Sequence, residues 1–447
     1  MNTLVKFSLV VGTLMPLSPE LLANELFENG QFDVVNRNFY FYRDFRNGAS
    51  NPSGANTQLA EEDREGYRSE WAHGVIAKYT SGYTDTALQI GFDAYGMAAI
   101  KLYSDEVKTG TNLIEFDPVT GKTKSFNGEV GGALKVKYKD TVLTYGNQFP
   151  NVPVLATNTS RLLPSVSTGV TLQNTSIDHL ELNAGYFYSM NPVDSTKDLN
   201  FFTTDYGSAA GIKADSVSFA GGTYKLPNTS VTAYASELED VWKQFFLGAN
   251  FQHALENNHK FKAAFAGYSN KDTGKKVAGN IEANIVSGLV GYQLDQHTIS
   301  LGYQQVFGDE PFDWVGYSTI GGNISILNAA QFASFSEANE KSLQLKYETD
   351  LSTYGLPGLS LMGRYIYGWD VDNSNSDNTF YTRRFIYDPS KDNKHWERNI
   401  QLAYKVASGF AKGMDIKLRQ ATHRATKGYR YNDIDELRVI IEYPFSF

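Results

Sequence analysis

The amino-acid sequence predicts an all-β protein, a transmembrane antiparallel β-barrel of about 18 strands. Three observations support this prediction. Short segments of alternating apolar and polar residues succeed one another from residue 35 onward, long and short connections alternate between them, and the last segment is apolar on one face only. A β-sandwich or a propeller would not require this rhythm of connection lengths.

The first segment, residues 1–23, has the features of a secretory signal peptide. Lys6 precedes a short apolar run that contains prolines, and a small residue comes before a polar stretch. The run is too short to cross a membrane as a helix. We expect cleavage after Ala23, with Asn24 as the alternative, and a single barrel domain over residues 24–447.

Composition excludes several classes of protein. The chain has 0 Cys, which excludes disulfides, thiolate catalysis and cysteine metal sites. A hydrophobic content of 41% and a mean hydropathy of −0.36 exclude a bundle of membrane helices. The 28 Tyr and 28 Phe suit strands and interfacial belts. The net charge of −9 argues against nucleic acid as a partner.

Each predicted strand is a segment in which apolar side chains recur at every second position. In chain order the strands are predicted at 35–45, 70–80, 86–103, 130–139, 141–146, 169–173, 180–188, 216–224, 230–235, 245–251, 261–268, 284–294, 297–305, 342–351, 359–368, 398–406, 414–421 and 436–447. Their number is even, as in bacterial single-chain barrels. The predicted strand at 35–45 has aromatic residues on both faces, so its register stays open.

The final strand gives the clearest separation of faces. Its apolar face consists of Leu437, Val439, Ile441, Tyr443, Phe445 and Phe447, and its polar face of Glu436, Arg438, Glu442 and Ser446. In a transmembrane barrel the first face meets lipid and the second meets a water-filled lumen. A last strand that ends in an aromatic residue resembles the signal that such barrels present to the outer-membrane assembly machinery.

The connections orient the chain in the membrane. Long connections fall at 47–69, 104–129, 147–168, 306–341 and 369–397, and short ones at 81–85, 140, 174–179, 352–358 and 407–413. Outer-membrane barrels have long extracellular loops and short periplasmic turns. We therefore expect both termini in the periplasm, and the outer membrane of a Gram-negative bacterium as the location.

Two long connections are predicted to fold into the lumen and to constrict it. The 147–168 connection combines three prolines and Arg161 with Val152, Val154, Leu155, Leu162 and Leu163. The 306–341 connection mixes apolar residues with Asp309, Glu310 and Asp313. A loop in water has no need of so many apolar side chains, whereas a loop packed against the lumen wall does.

Basic residues recur at strand positions that alternate with apolar ones. Ile416 and Leu418 are predicted to face lipid, so Lys417 and Arg419 must face the lumen. The same argument places Arg364 and Arg438 in the lumen. A charge on the lipid face near the midplane would cost roughly 2–4 kcal/mol, which enforces the alternation. A set of such cations attracts anions, and the alternative is that they only keep the wall wet and pair with Glu436 or Glu442.

Several stretches resemble the OprD family of substrate-specific outer-membrane porins, in order along residues 24–447. They are Asn36–Arg46 (NRNFYFYRDFR), Glu70-Trp-Ala72, Phe149-Pro with Pro153-Val-Leu-Ala156, Ser160-Arg-Leu-Leu-Pro164, Gly308-Asp-Glu-Pro-Phe312, Gly355-Leu-Pro-Gly-Leu359, His395-Trp-Glu-Arg-Asn399 and Val439-Ile-Ile-Glu-Tyr-Pro444.

The resemblance implies an 18-stranded barrel, narrowed by infolded loops, in which a ladder of basic residues faces an acidic patch and guides small carboxylate-bearing solutes. On the matching positions the ladder would consist of Arg37, Arg46, Arg161, Arg364, Lys417, Arg419 and Arg438, with Asp309 on the acidic side. Aromatic acids, aliphatic acids and amino acids all stay open as solutes. The resemblance leaves a monomer or a loose trimer open, surrounded by lipid and lipopolysaccharide.

Other functions find less support in the sequence. The seven histidines are scattered and belong to no motif of a nucleophile or of paired acids, so we expect no enzyme, no cofactor and no catalytic residue. The run D-N-S-N-S-D-N at 372–378 lacks the glutamate and the glycine of a calcium loop, and we expect no metal there. A general diffusion or sugar porin, and a barrel that acts mainly as a surface receptor or adhesin, remain as alternatives.

Overall fold

The computed structural model describes residues 26–429 and 433–447, so the predicted signal peptide lies outside the described residues. Eighteen long strands form one sheet. They are β1 Gln31–Phe45, β2 Tyr67–Thr80, β3 Gln89–Tyr103, β4 Phe126–Tyr138, β5 Thr141–Gln148, β6 Val166–Ile177, β7 Leu180–Asn191, β8 Val217–Lys225, β9 Thr229–Leu238, β10 Trp242–Ala254, β11 His259–Asp272, β12 Glu282–Leu294, β13 His297–Phe307, β14 Lys341–Asp350, β15 Leu359–Trp369, β16 His395–Lys405, β17 Asp415–Ala425 and β18 Ile434–Ser446.

Every strand pairs antiparallel with its neighbours in the chain, and β18 pairs with β1 to close the sheet into a barrel. The predicted fold class and number of strands are therefore confirmed, and each predicted segment overlaps one observed strand. The closing pair sets Arg37 opposite Glu442 and Arg43 opposite Glu436. Within the described residues no helix is both long and apolar enough to cross a membrane.

The two faces of the wall differ as the alternation requires. Large apolar side chains such as Phe245, Leu345 and Leu418 are exposed on the outside, where a lipid phase would cover them. Aromatic side chains also lie on the outside of the wall, for example Tyr365, whose ring is stacked on that of Trp396 with the centroids 5.5 Å apart. The inside of the wall is polar and charged.

The connections between strands follow the predicted alternation of lengths with two exceptions. We name the long-side connections L1 46–66, L2 104–125, L3 149–165, L4 192–216, L5 239–241, L6 273–281, L7 308–340, L8 370–394 and L9 426–433. L5 has only three residues, because β9 and β10 extend further than the sequence pattern indicated. Asp240 adopts a positive φ of 59° there, which lets the chain reverse tightly. The strict alternation of lengths is thus wrong at L5, and also at L9, which is no longer than the preceding short-side connection at 406–414.

Most of the buried apolar core lies inside the barrel rather than in the wall. L3, L4 and L7 contribute Leu155, Phe202 and Tyr317, which pack with inward-facing residues of β7 to β12. Thr203–Thr204, Val315–Tyr317 and Ile320–Gly321 form a small three-stranded sheet between L4 and L7. L3, L4 and L7 thus fill the β7–β12 side of the lumen. L3 and L7 also reach the opposite wall, where basic residues of β15, β17, β18, β1 and β2 lie.

Candidate functional site

L3 is fixed to the inner wall by apolar packing and by an arginine of β1. Leu162 and Leu163 are buried against β2, where Gly74 leaves room for them, since a Cβ there would lie 3.0 Å from Leu162 Cγ. Arg37 donates from Nη1 to the carbonyl oxygens of Arg161 and Leu162, at 2.8 and 3.0 Å. Its Nη2 lies 2.7 Å from Glu442 Oε1. Arg37 therefore faces the lumen, as predicted, and is already paired.

A cluster of arginines surrounds the ring of Phe41 on β1. The Cζ atoms of Arg438, Arg43 and Arg161 lie 5.0, 5.3 and 5.6 Å from the ring centroid. Glu436 compensates two of them, because its carboxylate is 2.6 Å from Arg438 Nε and 2.5 Å from Arg43 Nη2. The sequence left open whether Arg438 attracts anions or pairs with Glu436, and in the structure it pairs with Glu436.

Arg161 extends from L3 into this cluster but has a different environment. Its Nε donates to the carbonyl oxygen of Thr111 in L2 at 2.9 Å, and no described carboxylate lies within 4.0 Å of its guanidinium. Burial, together with the nearby positive charge of Arg438, holds the pKa of Arg161 well below its ordinary value. This cation is consequently desolvated without a bound counter-charge.

Two acidic groups act on Arg161 through their charge, Glu436 of β18 and, more weakly, Asp194 in L4, which the sequence did not single out. Its carboxylate accepts a hydrogen bond from Asn112 Nδ2 at 2.9 Å, and Thr319 Oγ1 lies 3.4 Å away. Burial raises the pKa of Asp194. The predicted acidic residue, Asp309, lies instead at the start of L7, where Asn339 donates to it at 3.1 Å.

Arg419 of β17 lies directly opposite Arg438 in the strand pairing. No hydrogen bond or ion pair joins its guanidinium to any of the described residues 26–429 and 433–447. Two like charges on adjacent strands repel each other, and Glu436 is taken up by Arg438 and Arg43. Arg419 is thus a second lumen-facing cation without a direct protein counter-charge.

Two further predicted residues, Arg364 and Lys417, lie in the wall, and each has hydrogen-bond or ion-pair partners. Arg364 donates from Nη2 to Asn399 Oδ1 at 2.7 Å and from Nη1 to the carbonyl oxygen of Ala329 in L7 at 2.9 Å. Lys417 pairs with Asp415 at 2.7 Å and with Glu442 at 3.2 Å. Both side chains face the lumen, as predicted from the alternation.

Arg46 lies apart from the other predicted residues. It is at the outer rim, its side chain is half exposed, and it pairs with Asp44 at 2.6 Å and with Asp435 at 3.5 Å. Asp44 and Asp435 alternate with inward-facing residues of β1 and β18, so this network is on the outer side of the wall.

One lumen residue that the sequence analysis missed is Lys78 of β2. Its Nζ lies 3.4 Å from the centroid of the Phe149 ring, and it has no ion pair with the described residues. It lines a cavity of about 410 Å³ beneath L3, which Asp93 and Tyr95 also line. The alternation in β2 was a sufficient signal, because Lys78 lies between the apolar residues Ala77 and Tyr79, whose side chains point to the other face of the strand.

The described residues contain no group of three or more His, Asp or Glu side chains placed to bind a metal ion. The Asp and Asn residues of 372–378 form part of L8, where Asn378 donates to the carbonyl oxygens of Ala278 and Asn280, at 2.8 and 2.7 Å. The role of this segment is thus to join two loops.

Known proteins resemble this chain over almost its full length. The family described as "outer membrane porin, OprD family" matches residues 24–447. Porin D of Pseudomonas aeruginosa is 36% identical over 439 residues, which are 96% of this chain and 94% of the relative. The porin-like protein GalP of Pseudomonas putida is 29% identical, over 97% of this chain and 98% of the relative.

Solved structures agree with these sequence matches. Crystal structures of P. aeruginosa OprD and of P. aeruginosa OpdK with vanillate match with TM-scores of 0.78 and 0.79 and identities of 34% and 28%. A BenF-like porin from Pseudomonas fluorescens matches with a TM-score of 0.80 and an identity of 28%. Each match covers 94% of this chain, and 96%, 100% and 100% of the respective structures.

Proposed function

The chain belongs to the OprD family of outer-membrane porins, and on that premise we propose that it selects small carboxylate-bearing solutes by means of arginines in its constriction. It is a channel for small solutes in the outer membrane of a Gram-negative bacterium, and its relatives are porins rather than enzymes. The carboxylate preference and the residues that produce it are the new part of the proposal.

The observation that supports this selectivity is the contrast between paired and unpaired cations. Arg37, Arg364 and Arg438 already have partners in the wall, whereas Arg161 and Arg419 have no carboxylate within 4.0 Å among the described residues. An uncompensated guanidinium in a narrow, poorly hydrated passage lowers the energy of an anion there. Arginine also presents two parallel donors to a carboxylate, which adds geometric specificity.

Passage of the solute follows from the spacing of these cations. A carboxylate that enters between Arg161 and Arg419 relieves the repulsion that each has with Arg438. Because several cations follow one another along the wall, no single one needs to hold the anion tightly. Lys78, below L3, would be the last of these positions before the periplasmic side.

The aromatic lining supports acids that carry an apolar body. Phe41 lies within the arginine cluster, and Phe149 lies against Lys78. The structure of OpdK was determined with vanillate, an aromatic carboxylate. We therefore propose aromatic or aliphatic monocarboxylates as the preferred class.

The decisive experiment measures liposome swelling for the wild-type channel and for a double variant that carries both Arg161→Gln and Arg419→Gln. Benzoate, arginine and a neutral sugar serve as solutes. We expect benzoate uptake to fall by about tenfold and sugar uptake to stay constant, since each glutamine retains polarity but no charge. Arg46→Gln is the matched control, because Arg46 is paired at the rim.

Two outcomes would contradict the proposal. Wild-type benzoate uptake by the double variant would show that the pore selects by size alone, as a general diffusion or sugar porin does. No solute-dependent swelling by a correctly folded wild-type protein would instead favour a receptor or adhesin.

A further inference from the structure

Two buried histidines are in direct contact at the extracellular end of the lumen. His395 is the first residue of β16 and His423 lies on β17, and they are 1% and 0% exposed. The distance from His395 Nδ1 to His423 Nε2 is 2.9 Å. A hydrogen bond of this length holds one proton between two ring nitrogens, so one ring donates and the other accepts.

His395 also contacts the last residue of L7. His395 Nε2 lies 2.5 Å from Glu340 Oε1, and Glu340 is the last residue of L7 before β14. The other oxygen of Glu340 accepts the backbone N–H of Glu337 at 2.9 Å, which closes a turn within L7. His395 therefore donates from Nε2 to Glu340 and, as a neutral ring, accepts from His423 at Nδ1.

Aromatic rings enclose this contact on both sides. The His395 ring is stacked between Phe335 of L7 and Tyr429 of L9, with centroid distances of 4.4 and 4.5 Å. Phe332 of L7 lies 4.9 Å from the His423 ring. The two histidines consequently hold Phe332 and Phe335 of L7, together with Tyr429, against β16 and β17.

Charged and titratable groups of the described residues 26–429 and 433–447 face the pair from several elements. L7 provides Glu340 and Glu337, and L8 provides Arg384, which lies 2.5 Å from Glu337. On β16, Glu397 lies opposite His423 in the strand pairing. Two tyrosines complete the surroundings, Tyr206 of L4 and Tyr429 of L9. Arg43 of β1 faces the same segment across Phe332, at 4.8 Å from Cζ to centroid. Glu397 is occupied by the N–H groups of Phe332 and Ala333, at 3.0 and 2.7 Å.

The segment that the histidines hold leads directly to the arginine cluster of the pore. Gln331 donates from Nε2 to Glu436 at 2.9 Å, and its carbonyl oxygen accepts from Arg438 Nη2 at 3.2 Å. Gln331 precedes Phe332, which contacts His423. A displacement of this part of L7 would therefore move groups that line the constriction.

We infer that the contact between His395 and His423, with Glu340, is a clamp that positions L7 in the pore and opens when both rings are protonated. With a proton on each of the two facing nitrogens, the 2.9 Å contact becomes a repulsion between two N–H groups of like charge. His423 is then displaced from His395, and Phe332 of L7, which packs on the His423 ring, moves with it. Both histidines are positioning residues, since neither is proposed to touch the solute.

The test is the single-channel conductance in KCl as a function of pH, which does not depend on the identity of the solute. We expect the wild-type conductance, or the frequency of transitions to a larger conductance, to rise by about twofold as the pH is lowered from about 7.5 to about 5. His423→Gln should abolish this rise, because the glutamine amide can donate to His395 Nδ1 but cannot gain a proton.

His259→Gln is the matched control, because His259 is the partly exposed first residue of β11 and its ring contacts the hydroxyl of Tyr292 at 2.6 Å, away from L7. It should retain the wild-type pH dependence. An equal pH dependence in wild type and His423→Gln, or a flat wild-type profile between about pH 5 and 7.5, would overturn the inference. Circular dichroism shows whether His423→Gln still forms the barrel. If it does not, the pH profiles of the wild type and of His259→Gln still test the inference, because a flat profile would overturn it.

Discussion

Arg37 and Glu442 face each other across the seam that closes the barrel, with Arg37 Nη2 2.7 Å from Glu442 Oε1. The same guanidinium donates through Nη1 to the carbonyl oxygens of Arg161 and Leu162 in L3. A single side chain thus joins the first strand, the last strand and a loop inside the lumen. This arrangement separates two roles of a lumen arginine, its charge and its ability to hold a loop.

Arg37→Lys separates these roles experimentally. Lysine keeps the charge opposite Glu442, but a single ammonium group cannot also reach both loop carbonyls in the planar geometry of a guanidinium. We expect L3 to loosen and the single-channel conductance to rise by about 1.5- to 2-fold, with the barrel intact. Arg46→Lys at the rim should leave the conductance unchanged. A wild-type conductance in Arg37→Lys would show that apolar packing of Leu162 and Leu163 alone holds the loop.

Glu436→Gln should make the pore more selective for anions. Glu436 is 1% exposed and compensates Arg43 and Arg438, so its neutralisation adds one uncompensated positive charge to the arginine cluster. We expect the permeability ratio of Cl⁻ to K⁺ to increase about two- to fivefold, measured from reversal potentials in a salt gradient. Glu65→Gln, at a partly exposed ion pair in L1, is the control. A decrease in the ratio would contradict the placement of Glu436 in the conduction path.

Asp313 of L7 should make the stability of the protein depend on pH. Burial and the nearby charge of Asp205 raise the pKa of Asp313 to about 7, above the ordinary value of 3.8. Between these values the native state retains a proton that the unfolded state has lost, so raising the pH lowers the stability until about pH 7. A shift of about 3 units corresponds to roughly 4 kcal/mol as an upper value.

Asp313→Asn tests this sign. Asparagine can still accept the N–H groups of Tyr206 and Trp314, and it carries no charge at any pH. We expect the wild type to melt at a lower temperature at pH 8 than at pH 5, and the variant to lose most of that difference in thermal unfolding followed by circular dichroism. Asp388→Asn is the control, because Lys391 lowers the pKa of Asp388 to about 2 and the group stays ionised at both pH values. An unchanged difference in Asp313→Asn would refute the assignment.

The sequence was sufficient for features that depend on the local period of the chain. The alternation around Ile416 and Leu418 placed Lys417 and Arg419 in the lumen, and the structure has both there. The number of strands also followed, because each strand must expose one apolar face to lipid and one polar face to water. Such constraints act within a few neighbouring residues, so they can be read from the sequence directly.

Partners that come from distant parts of the chain could not be found in this way. Arg438 is compensated by Glu436, two residues away, but Arg161 meets Thr111 of L2 and the charge of Asp194 of L4, which the period of a strand does not constrain. L4 was not predicted to enter the lumen, although Phe202 is fully buried there. The contact of His395 with His423 likewise arises from the pairing of strands, because neither residue has a distinguishing neighbour in sequence.

Leu418→Lys tests the assignment of faces on which the site depends. Leu418 is exposed on the outside of β17, between Lys417 and Arg419, which face inward. A lysine at this position would place its charge toward lipid, at a cost of roughly 2–4 kcal/mol near the midplane and less toward the interfaces. We expect the variant to unfold at a lower urea concentration in a defined bilayer, in proportion to that cost. Gln173→Lys is the matched control, because Gln173 of β6 lines the cavity beneath L3 and donates to Glu181 at 3.1 Å, so the new charge would lie beside a carboxylate rather than in lipid. Its destabilisation should stay below about 1 kcal/mol. Equal destabilisation by the two substitutions would mean that the outer face of β17 is not in contact with lipid, and the separation of lumen cations from lipid-facing residues would then fail.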